Sequence, residues 1–367
     1  MSLHKLILNH LSETPQSLAE LQPLAQVSLP TLRKAIQDLT DGNWIRVIGQ
    51  SEPNGGRPAM LFGLDDSVYA IISVHIQLPG IRLVALDLTG RVLDDHLVFE
   101  NTVPRPYEVI QEIEAYVMKF RVNCPNRIIL GLGISSPGYT DPDSGSILSI
   151  ERVTGWQSFP ICDLLRTPLG LPVYIANDID CMAFAEFQYT QTPLTRNLMY
   201  LGFDEGIKIS LFLNGQLYKG AFGNAGLIKS DLYAAPDILT IRGINQRFDE
   251  IASPSNPMQR TIFDTQDMRE RLQTIFEYAV NGDIICRRIT DEVVDALVKT
   301  IVLTTYIINP DMIVVGGILS TAPVEIYQQI ESTVYDALPV LFTNYLSIRQ
   351  AVMSQPNRAA IGAGHHF

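Results

Sequence analysis

Residues able to contact the phosphates and bases of a nucleic acid are grouped near the start of the chain. The stretch Asn54-Gly55-Gly56-Arg57-Pro58 holds one arginine at a tight turn, where two glycines allow close backbone approach and proline stiffens the exit. This arrangement suits insertion of Arg57 into a narrow minor groove. Four polar side chains on one preceding helical run would meet phosphates or base edges: Thr31, Arg33, Lys34 and Gln37.

The elements that must position these side chains are short. Apolar spacing predicts a first helix that ends before Pro15, and Ser17 with Glu20 predicts a capping box at a second helix. Ser28 and Pro30 open a third helix whose apolar positions face inward, namely Leu32, Ala35, Ile36 and Leu39. The runs WIRVIGQ and MLFGL then predict a two-stranded wing.

Three short helices followed by a wing are typical of a winged helix-turn-helix domain, here residues 1–64, whose third helix enters the major groove. A small helical interaction or dimerisation module would have the same helices. Residues 1–64 contain five basic side chains. We call residues 1–64 the head. Because each released counterion adds little affinity alone, we expect useful DNA binding to need two heads, which implies a dimer.

Composition and charge limit what the rest of the chain can do. The 367 residues are 46% hydrophobic, which suffices for a core, and the net charge is −12 from 27 basic and 39 acidic residues. Residues 1–64 balance five basic against five acidic side chains, so the body carries the whole −12. An acidic body repels phosphate, which leaves the head as the candidate nucleic-acid surface.

Targeting and metal signals are lacking in the sequence. The four cysteines, Cys124, Cys162, Cys181 and Cys286, are widely separated and form no CxxC pair, which argues against a disulfide framework or a thiolate zinc site. No apolar run is long enough for a membrane helix. We therefore expect a cytoplasmic protein without a membrane partner.

The body, from about residue 65, alternates strand-like meanders with helices, twice over. The first cycle runs from VYAIISVHIQ to a helix over 106–122, a buried strand IILGLGIS and a loop SSPGYTDPDSGSIL. The second runs from LPVYIAND through a long helical region over 260–309 to the strand DMIVVGGIL. This pattern predicts two α/β lobes with a cleft, residues 65–178 and 179–367, with the C-terminal helix a candidate to return to the first lobe.

Several stretches in this order resemble the ROK family of bacterial sugar kinases and sugar-responsive repressors. They are NGGRPAMLFGL, VALDLTGRVL, GLGISSPGYTDPDSGSIL, GWQSFPICDLLRTPLGLPVYIANDIDCMAFAE, LFLNGQLYKGAFGNAG and NPDMIVVGG. The resemblance implies an α/β, two-lobed actin-like ATPase body of the ribonuclease-H-like type. Its repressor branch carries an N-terminal winged helix, as the head predicts here.

The phosphate-binding residues of the resembled kinases are replaced. Where the family has Asp, Gly and Thr for Mg²⁺ and phosphate, this chain has His75, Gln77 and Pro79. The second phosphate loop reads Asp204-Glu205-Gly206-Ile207-Lys208, and a carboxylate 4 Å from a phosphate repels it by about 4 kcal/mol. Phosphoryl transfer depends on positioning and charge neutralisation, so we expect no kinase activity and no nucleotide cofactor. Gly316-Gly317, the family's adenosine-side turn, also fits an ordinary strand-to-helix turn.

The family's zinc ligands are absent too. The Glu and His that follow its Gly-Ala-Gly turn, and that also grip sugar hydroxyls, map to Leu227 and Ser230. A buried Leu227 cannot pair with hydroxyls, and each unpaired polar group costs roughly 1–3 kcal/mol. We therefore expect no metal, and an effector bound differently from glucose.

The rest of the sugar site implied by the resemblance is present. Asn177-Asp178 corresponds to the family's hydroxyl-binding pair, in which Asp178 would be a vestigial general base, and Pro137-Gly138 would form the opposite wall. Helix capping explains Asn177-Asp178 without any ligand. Trp156 and Phe159 would either stack on a sugar or belong to the core.

These observations together predict a ROK-type transcriptional regulator of carbohydrate genes, a repressor, with its kinase machinery lost. The expected partners are operator DNA, a small sugar or sugar-derived effector, and further copies of the chain in a homodimer or a dimer of dimers. Two alternatives stay open: an active sugar kinase with atypical phosphate contacts, and an effector-independent regulator controlled by a protein partner.

Overall fold

The computed structural model describes residues 2–52, 58–150, 153–190, 195–204, 206–227, 236–352 and 358–364. The chain divides into two compact units: a first unit of Met1–Ala176 with Ala359–Phe367, and a second unit of Asn177–Arg358. Among the described helices, none combines the length and the apolar character needed to cross a membrane.

The first unit begins with a head of three helices and an antiparallel sheet of order β1-β3-β2. Ile7, Leu21 and Leu32, one from each helix, are fully buried against Ile45 and Phe62 of the sheet. The elements are α1 (Leu3–Glu13), β1 (Gln16–Ser17), α2 (Leu18–Ala25), α3 (Leu29–Asp41), β2 (Ile45–Gln50) and β3 (Met60–Leu64).

The sheet of the head has one strand more than the predicted two-stranded wing. Gln16 and Ser17 pair with Phe62 and Leu61 of β3. Ser17 is also the N-cap of α2, where its N–H donates to Glu20 Oε2 at 2.7 Å, so the predicted capping box is confirmed. Because an N-cap residue is extended, the same conformation lets Ser17 lie beside β3.

The first lobe, which follows the head, is built on a five-stranded sheet of order β10-β7-β4-β5-β6. Strands β4, β5 and β6 form the predicted antiparallel meander, and β7 runs parallel to β4. The elements are β4 (Tyr69–Ile76), β5 (Ile81–Leu86), β6 (Val92–Val98), α4 (Pro106–Asn123), β7 (Ile128–Ser136), β8 (Tyr139–Asp141), β9 (Ser146–Ser149), α5 (Ile161–Leu169) and β10 (Val173–Asn177).

The predicted loop over residues 135–148 is instead largely a hairpin. Strand β7 extends to Ser136, and β8 pairs antiparallel with β9. Asp141 closes the connection by accepting hydrogen bonds from the N–H groups of Asp143 and Ser144 at 3.1 and 3.3 Å. The strands are too short and too rich in polar residues to show a clear apolar alternation, which is why the pattern suggests a loop.

Residues 65–68 join the head to the first lobe, and aromatic packing holds this junction. The ring of Tyr69, the first residue of β4, stacks on Trp44 with centroids 4.5 Å apart. Its hydroxyl donates to the Gly42 carbonyl oxygen at 2.8 Å, and the Asp65 N–H donates to the Trp44 carbonyl oxygen at 3.0 Å. The end of α3 is therefore tied directly to the first strand of the lobe.

Charged groups reinforce the same junction. Arg46 on β2 contacts Asp66 at 2.8 Å, and Arg91 lies 3.8 Å from the other carboxylate oxygen. The guanidinium of Arg127 donates to the carbonyl oxygens of Asp66 and Tyr69 at 3.0 and 3.1 Å. These contacts satisfy backbone groups that a free linker would leave to water.

The second unit is built on a sheet of order β13-β12-β11-β14-β15, in which β11 runs antiparallel to β12 and parallel to β14. The strands are β11 (Leu198–Phe203), β12 (Ile207–Leu213), β13 (Gln216–Leu217), β14 (Met312–Gly317) and β15 (Ser347–Gln350). The helices are α6 (Asp178–Thr190), α7 (Ile241–Ile251), α8 (Pro257–Asp264), α9 (Met268–Val280), α10 (Ile284–Ile308), α11 (Val324–Ala337) and α12 (Val340–Thr343).

Buried acidic side chains fasten α6 to this sheet. Ser210 of β12 donates to Asp180 at 2.6 Å, and Arg349 of β15 donates to the fully buried Glu186 at 2.9 Å. Gly202 of β11 leaves room for Ile179, whose side chain would lie 2.4 Å from an added Cβ. The start of α6 is thereby fixed in position.

The last described helix, α13 (Arg358–Gly364), packs almost entirely within the first unit. Ala359, Ala360 and Ala363 are fully buried. A Cβ on Gly133 of β7 would lie 2.3 Å from the Ala363 carbonyl oxygen, so the helix packs directly on the strand backbone. The head and the first lobe share one unit, and the three-domain division at 64/65 and 178/179 stays a prediction.

Replacing Asp180 by Asn should change how stability depends on pH. Burial raises the pKa of Asp180 to about 6, above its ordinary value. The contribution of Asp180 to the free energy of unfolding is therefore complete below about pH 4 and is lost as the pH rises to about 6. In denaturant titrations, the wild type should lose stability relative to Asp180→Asn between pH 4 and 6. The exposed Asp264→Asn is the control, and parallel curves for all three proteins would contradict the prediction.

Candidate functional site

Helix α3 presents a polar face that the apolar spacing predicts correctly. Ser28 caps it by accepting a hydrogen bond from the Thr31 N–H, and Pro30 lies in the first turn. The four apolar positions are buried as predicted: Leu32, Ala35, Ile36 and Leu39. The four polar candidates are exposed: Thr31, Arg33, Lys34 and Gln37.

The two cations of this face are available for external contacts. In the described ranges, neither Arg33 nor Lys34 forms an ion pair. Gln37 donates to Asp41 at 2.7 Å, which holds the side chain along the helix. Gly56 and Arg57 of the predicted wing tip lie outside the described residues. The exposed side of α3 thus offers two cations, Arg33 and Lys34, followed by the exposed Asp38 and Asp41, on a helix that the junction fastens to the first lobe.

In the second unit, Asn177 and Asp178 stand where β10 ends and α6 begins. Both residues are buried. The Ile179 N–H donates to Asp178 Oδ1 at 2.8 Å and to Asn177 Oδ1 at 3.1 Å. The capping interpretation therefore has a geometric basis, and ligand binding by the pair stays a prediction.

Lys208 neutralises Asp178, an interaction that the sequence does not reveal. Its ammonium group lies 2.9 Å from Asp178 Oδ1 and 3.0 Å from Oδ2. Both carboxylate oxygens are thus held by an internal cation, which a ligand at Asp178 would have to share or displace. Lys208 belongs to the predicted second phosphate loop, but it lies on β12, where it pairs with Gly202 of β11 and its side chain contacts α6.

Ion pairing also modifies the second phosphate loop. Asp204 accepts a hydrogen bond from Arg269 of α9 at 2.7 Å, so much of its charge is compensated within the protein. Its repulsion of a phosphate is accordingly weaker than for the isolated carboxylate assumed from the sequence. Glu205 lies outside the described residues.

The two glycines on the adenosine side are explained by packing. A Cβ on Gly316 would lie 2.1 Å from the hydroxyl oxygen of Tyr200, a fully buried side chain on β11. Gly317 has φ +71°, and its Cβ would lie 2.2 Å from the Phe203 carbonyl oxygen. Tyr200 fills the space above Gly316, so the turn interpretation accounts for both residues.

The candidate residues of the first unit have structural roles. His75, at the end of β4, is buried, with Nδ1 3.3 Å from Gln77 Nε2. Gly138 has φ +77°, and a Cβ there would lie 2.2 Å from the Ser149 carbonyl oxygen, so the hairpin requires glycine after Pro137. Trp156 and Phe159 are buried and meet edge to face with centroids 5.7 Å apart, which favours the core interpretation.

Pro137 and Gly138 belong to the first unit, whereas Asn177 and Asp178 belong to the second.

Leu227, expected to be buried, is half-buried, and Ser230 lies outside the described residues. Within the described ranges, no three His, Cys, Asp or Glu side chains converge in a way that would hold a metal ion.

Comparisons with known proteins extend over nearly the whole chain. The chain is 20% identical over 315 residues to the xylose repressor of Caldicellulosiruptor bescii, covering 82% of this chain and 79% of that protein. It is 22% identical over 373 residues to the DNA-binding transcriptional dual regulator NagC of Escherichia coli K12, covering 95% and 87%.

Among solved structures, a ROK family transcriptional regulator, a homologue of the E. coli MLC protein, superposes with a TM-score of 0.80 at 17% identity. The match covers 99% of this chain and 94% of that one, so it includes the head. The ROK family model matches residues 71–365. Since that match spans most of the sequence, the chain belongs to the ROK family.

Proposed function

We propose that this protein is a DNA-binding transcriptional regulator, a repressor, that controls genes of carbohydrate metabolism. The observation that carries the proposal is the exposed polar face of α3, with Arg33 and Lys34 free of ion pairs in the described ranges. The relatives named as transcriptional regulators support it, because their similarity covers 95% and 99% of this chain and so extends beyond residues 71–365 into the head. A DNA partner implies action in the cytoplasm.

The head acts as a winged helix-turn-helix domain in this proposal. Helices α2 and α3 supply the helix pair, and the β2-β3 hairpin supplies the wing. Helix α3 enters the major groove, and Gly56 and Arg57 approach the adjacent minor groove. Two heads in a homodimer, or in a dimer of dimers, then read two half-sites, because one head carries too few cations for tight binding.

Sugar phosphorylation is not part of the proposal. A general base must be free to accept a proton, whereas both oxygens of Asp178 contact Lys208. The carboxylate that would organise Mg²⁺ is replaced by His75, which is buried beside Gln77. Loss of the base and of the phosphate contacts together removes the positioning on which phosphoryl transfer depends.

A small sugar or sugar derivative is the proposed effector. The similarity to a xylose repressor supports a carbohydrate ligand. Asn177 and Asp178 are the candidate ligand-binding residues in the second unit. A ligand there must displace Lys208 from Asp178 or contact both groups. To act as an effector it must bind the two conformations of the protein with different affinity.

Removing the cations of the head should weaken operator binding. With DNA from upstream of the protein's own gene, Arg33→Ala combined with Arg57→Ala should raise the dissociation constant at least about 10-fold and flatten its salt dependence. Arg260→Ala, an exposed arginine on α8 of the second unit, is the control. Unchanged binding of the double variant in a mobility-shift assay would refute the role of the head.

No sugar-dependent ATP turnover should occur. A coupled assay with glucose, N-acetylglucosamine, other hexoses and the pentose xylose should give rates at background, because Lys208 contacts both oxygens of Asp178 and the phosphate contacts are replaced. Turnover above background that disappears in Asp178→Asn would establish the kinase alternative instead.

A sugar effector should stabilise the folded protein. In thermal denaturation, a ligand at 100 times its dissociation constant adds about 2.7 kcal/mol, which corresponds to a rise of several degrees in Tm. The rise should vanish in Asp178→Ala. If no sugar or sugar derivative shifts Tm, control by a protein partner becomes the better explanation.

A further inference from the structure

The segment that joins the head to the first lobe is short and anchored at both ends. Residues 65–68 separate β3, the last strand of the head, from β4. On the head side, the Asp65 N–H donates to the Trp44 carbonyl oxygen at 3.0 Å. On the lobe side, the Ile128 N–H donates to the Val68 carbonyl oxygen at 2.9 Å. The orientation of the head therefore depends on how the chain is held between these two anchors.

Arg127, which directly precedes β7, holds this segment from the lobe side. Its guanidinium Nη1 donates to the carbonyl oxygens of Asp66 and Tyr69 at 3.0 and 3.1 Å. The two acceptors lie three residues apart in sequence, so one planar, permanently charged group fixes the segment and the start of β4 in a single geometry. Hydrogen bonds from a charged donor are stronger than those from a neutral one.

Asp66 connects this hold to the head. Its carboxylate Oδ1 contacts Arg46 of β2 at 2.8 Å, while its carbonyl oxygen accepts the hydrogen bond from Arg127. The same residue thus binds a cation of the head through its side chain and a cation of the lobe through its backbone. We call Arg46, Asp66 and Arg127 the junction clamp.

Within the junction clamp, Arg127 contributes more than the ion pair does. The side chain of Arg46 is 51% exposed, and exposed ion pairs are weakened by water and salt. The contacts of Arg127 are part-buried, and they pair two backbone carbonyl groups that would lose this donor without it. Arg127 is therefore the member whose loss should release the segment.

We propose that Arg127 is a positioning residue for DNA recognition, which orients the head on the first lobe and so sets the spacing between half-sites that two heads accept. One turn of DNA has about 10–10.5 base pairs, so one inserted base pair rotates a half-site by about 35°. A fixed head cannot follow that rotation, whereas a head on a loose segment can. The inference rests on the proposed function for the use of two heads on DNA.

In vitro selection from a pool of random-sequence DNA duplexes tests the proposal. The wild type should select paired half-sites at a single spacing. Arg127→Ala should select the same half-site sequence at several spacings, because the face of α3 is untouched while its orientation is free. It should also bind the wild-type site at least about 10-fold more weakly, because binding must then offset the entropy of orienting the head.

Arg121→Ala is the matched control. Its guanidinium also donates to a backbone carbonyl oxygen, that of Leu169 at 2.8 Å, but this contact joins α4 to α5 within the first lobe. Loss of the contact should leave the selected spacing unchanged. Circular dichroism of the wild type and both variants would verify that each retains its fold.

Hydrogen exchange of the full chain without DNA is the second measurement. The amides of Asp65 and Ile128 should exchange at least about 10-fold faster in Arg127→Ala than in the wild type or in Arg121→Ala, because the segment opens more often once Arg127 is lost.

The two measurements separate this inference from the proposed function. Wild-type spacing in Arg127→Ala would overturn the inference and leave DNA binding in place. An equal broadening in Arg121→Ala would overturn it too, since it would reflect a general loss of stability. If the wild type selects no DNA sequence, the proposed function fails and hydrogen exchange alone decides: faster exchange confined to Arg127→Ala would retain the orienting role, and exchange at the wild-type rate would refute it.

Discussion

The stacking of Trp44 on Tyr69 is the contact on which the proposed reading of DNA depends. It joins the end of α3 to the first strand of the lobe, and Asp66 adds an ion pair with Arg46 at the same point. A head on a loose linker would search many orientations, and binding would have to offset that entropy. With the junction packed, the orientation of α3 follows the first lobe, so any change in the lobe is also a change in the placement of the head.

In the second unit, polar groups of the candidate site are paired with other groups of the same protein. Lys208 occupies both oxygens of Asp178, Arg269 compensates Asp204, and Tyr200 fills the space above Gly316. Each of these contacts satisfies a buried or charged group within the protein itself. The packing of the fold and the polar contacts of the candidate site therefore depend on different residues.

Most of the architecture could be predicted from the sequence, because helices and strands with one buried face repeat their apolar residues regularly. The α3 face, the Ser17 capping box and the β4–β6 meander follow from that rule. The hairpin at Tyr139–Ser149 does not, since its strands are short and polar. The strand at Gln16–Ser17 does not either, since it has two residues and pairs with the distant β3. The Lys208–Asp178 pair was also out of reach, because it joins helix α6 to strand β12 across 30 positions of sequence.

The return of α13 to the first unit has a consequence for synthesis. Its alanines fill the space against Gly133, and Gly364 packs so closely that a Cβ there would lie 2.6 Å from Leu86 and 2.7 Å from the Ser73 hydroxyl. The lobe that carries the head therefore stays open on one side until the ribosome has translated the whole second unit. A nascent or prematurely terminated polypeptide holds the head on an unfinished support, so only chains translated through this helix complete the platform that orients it.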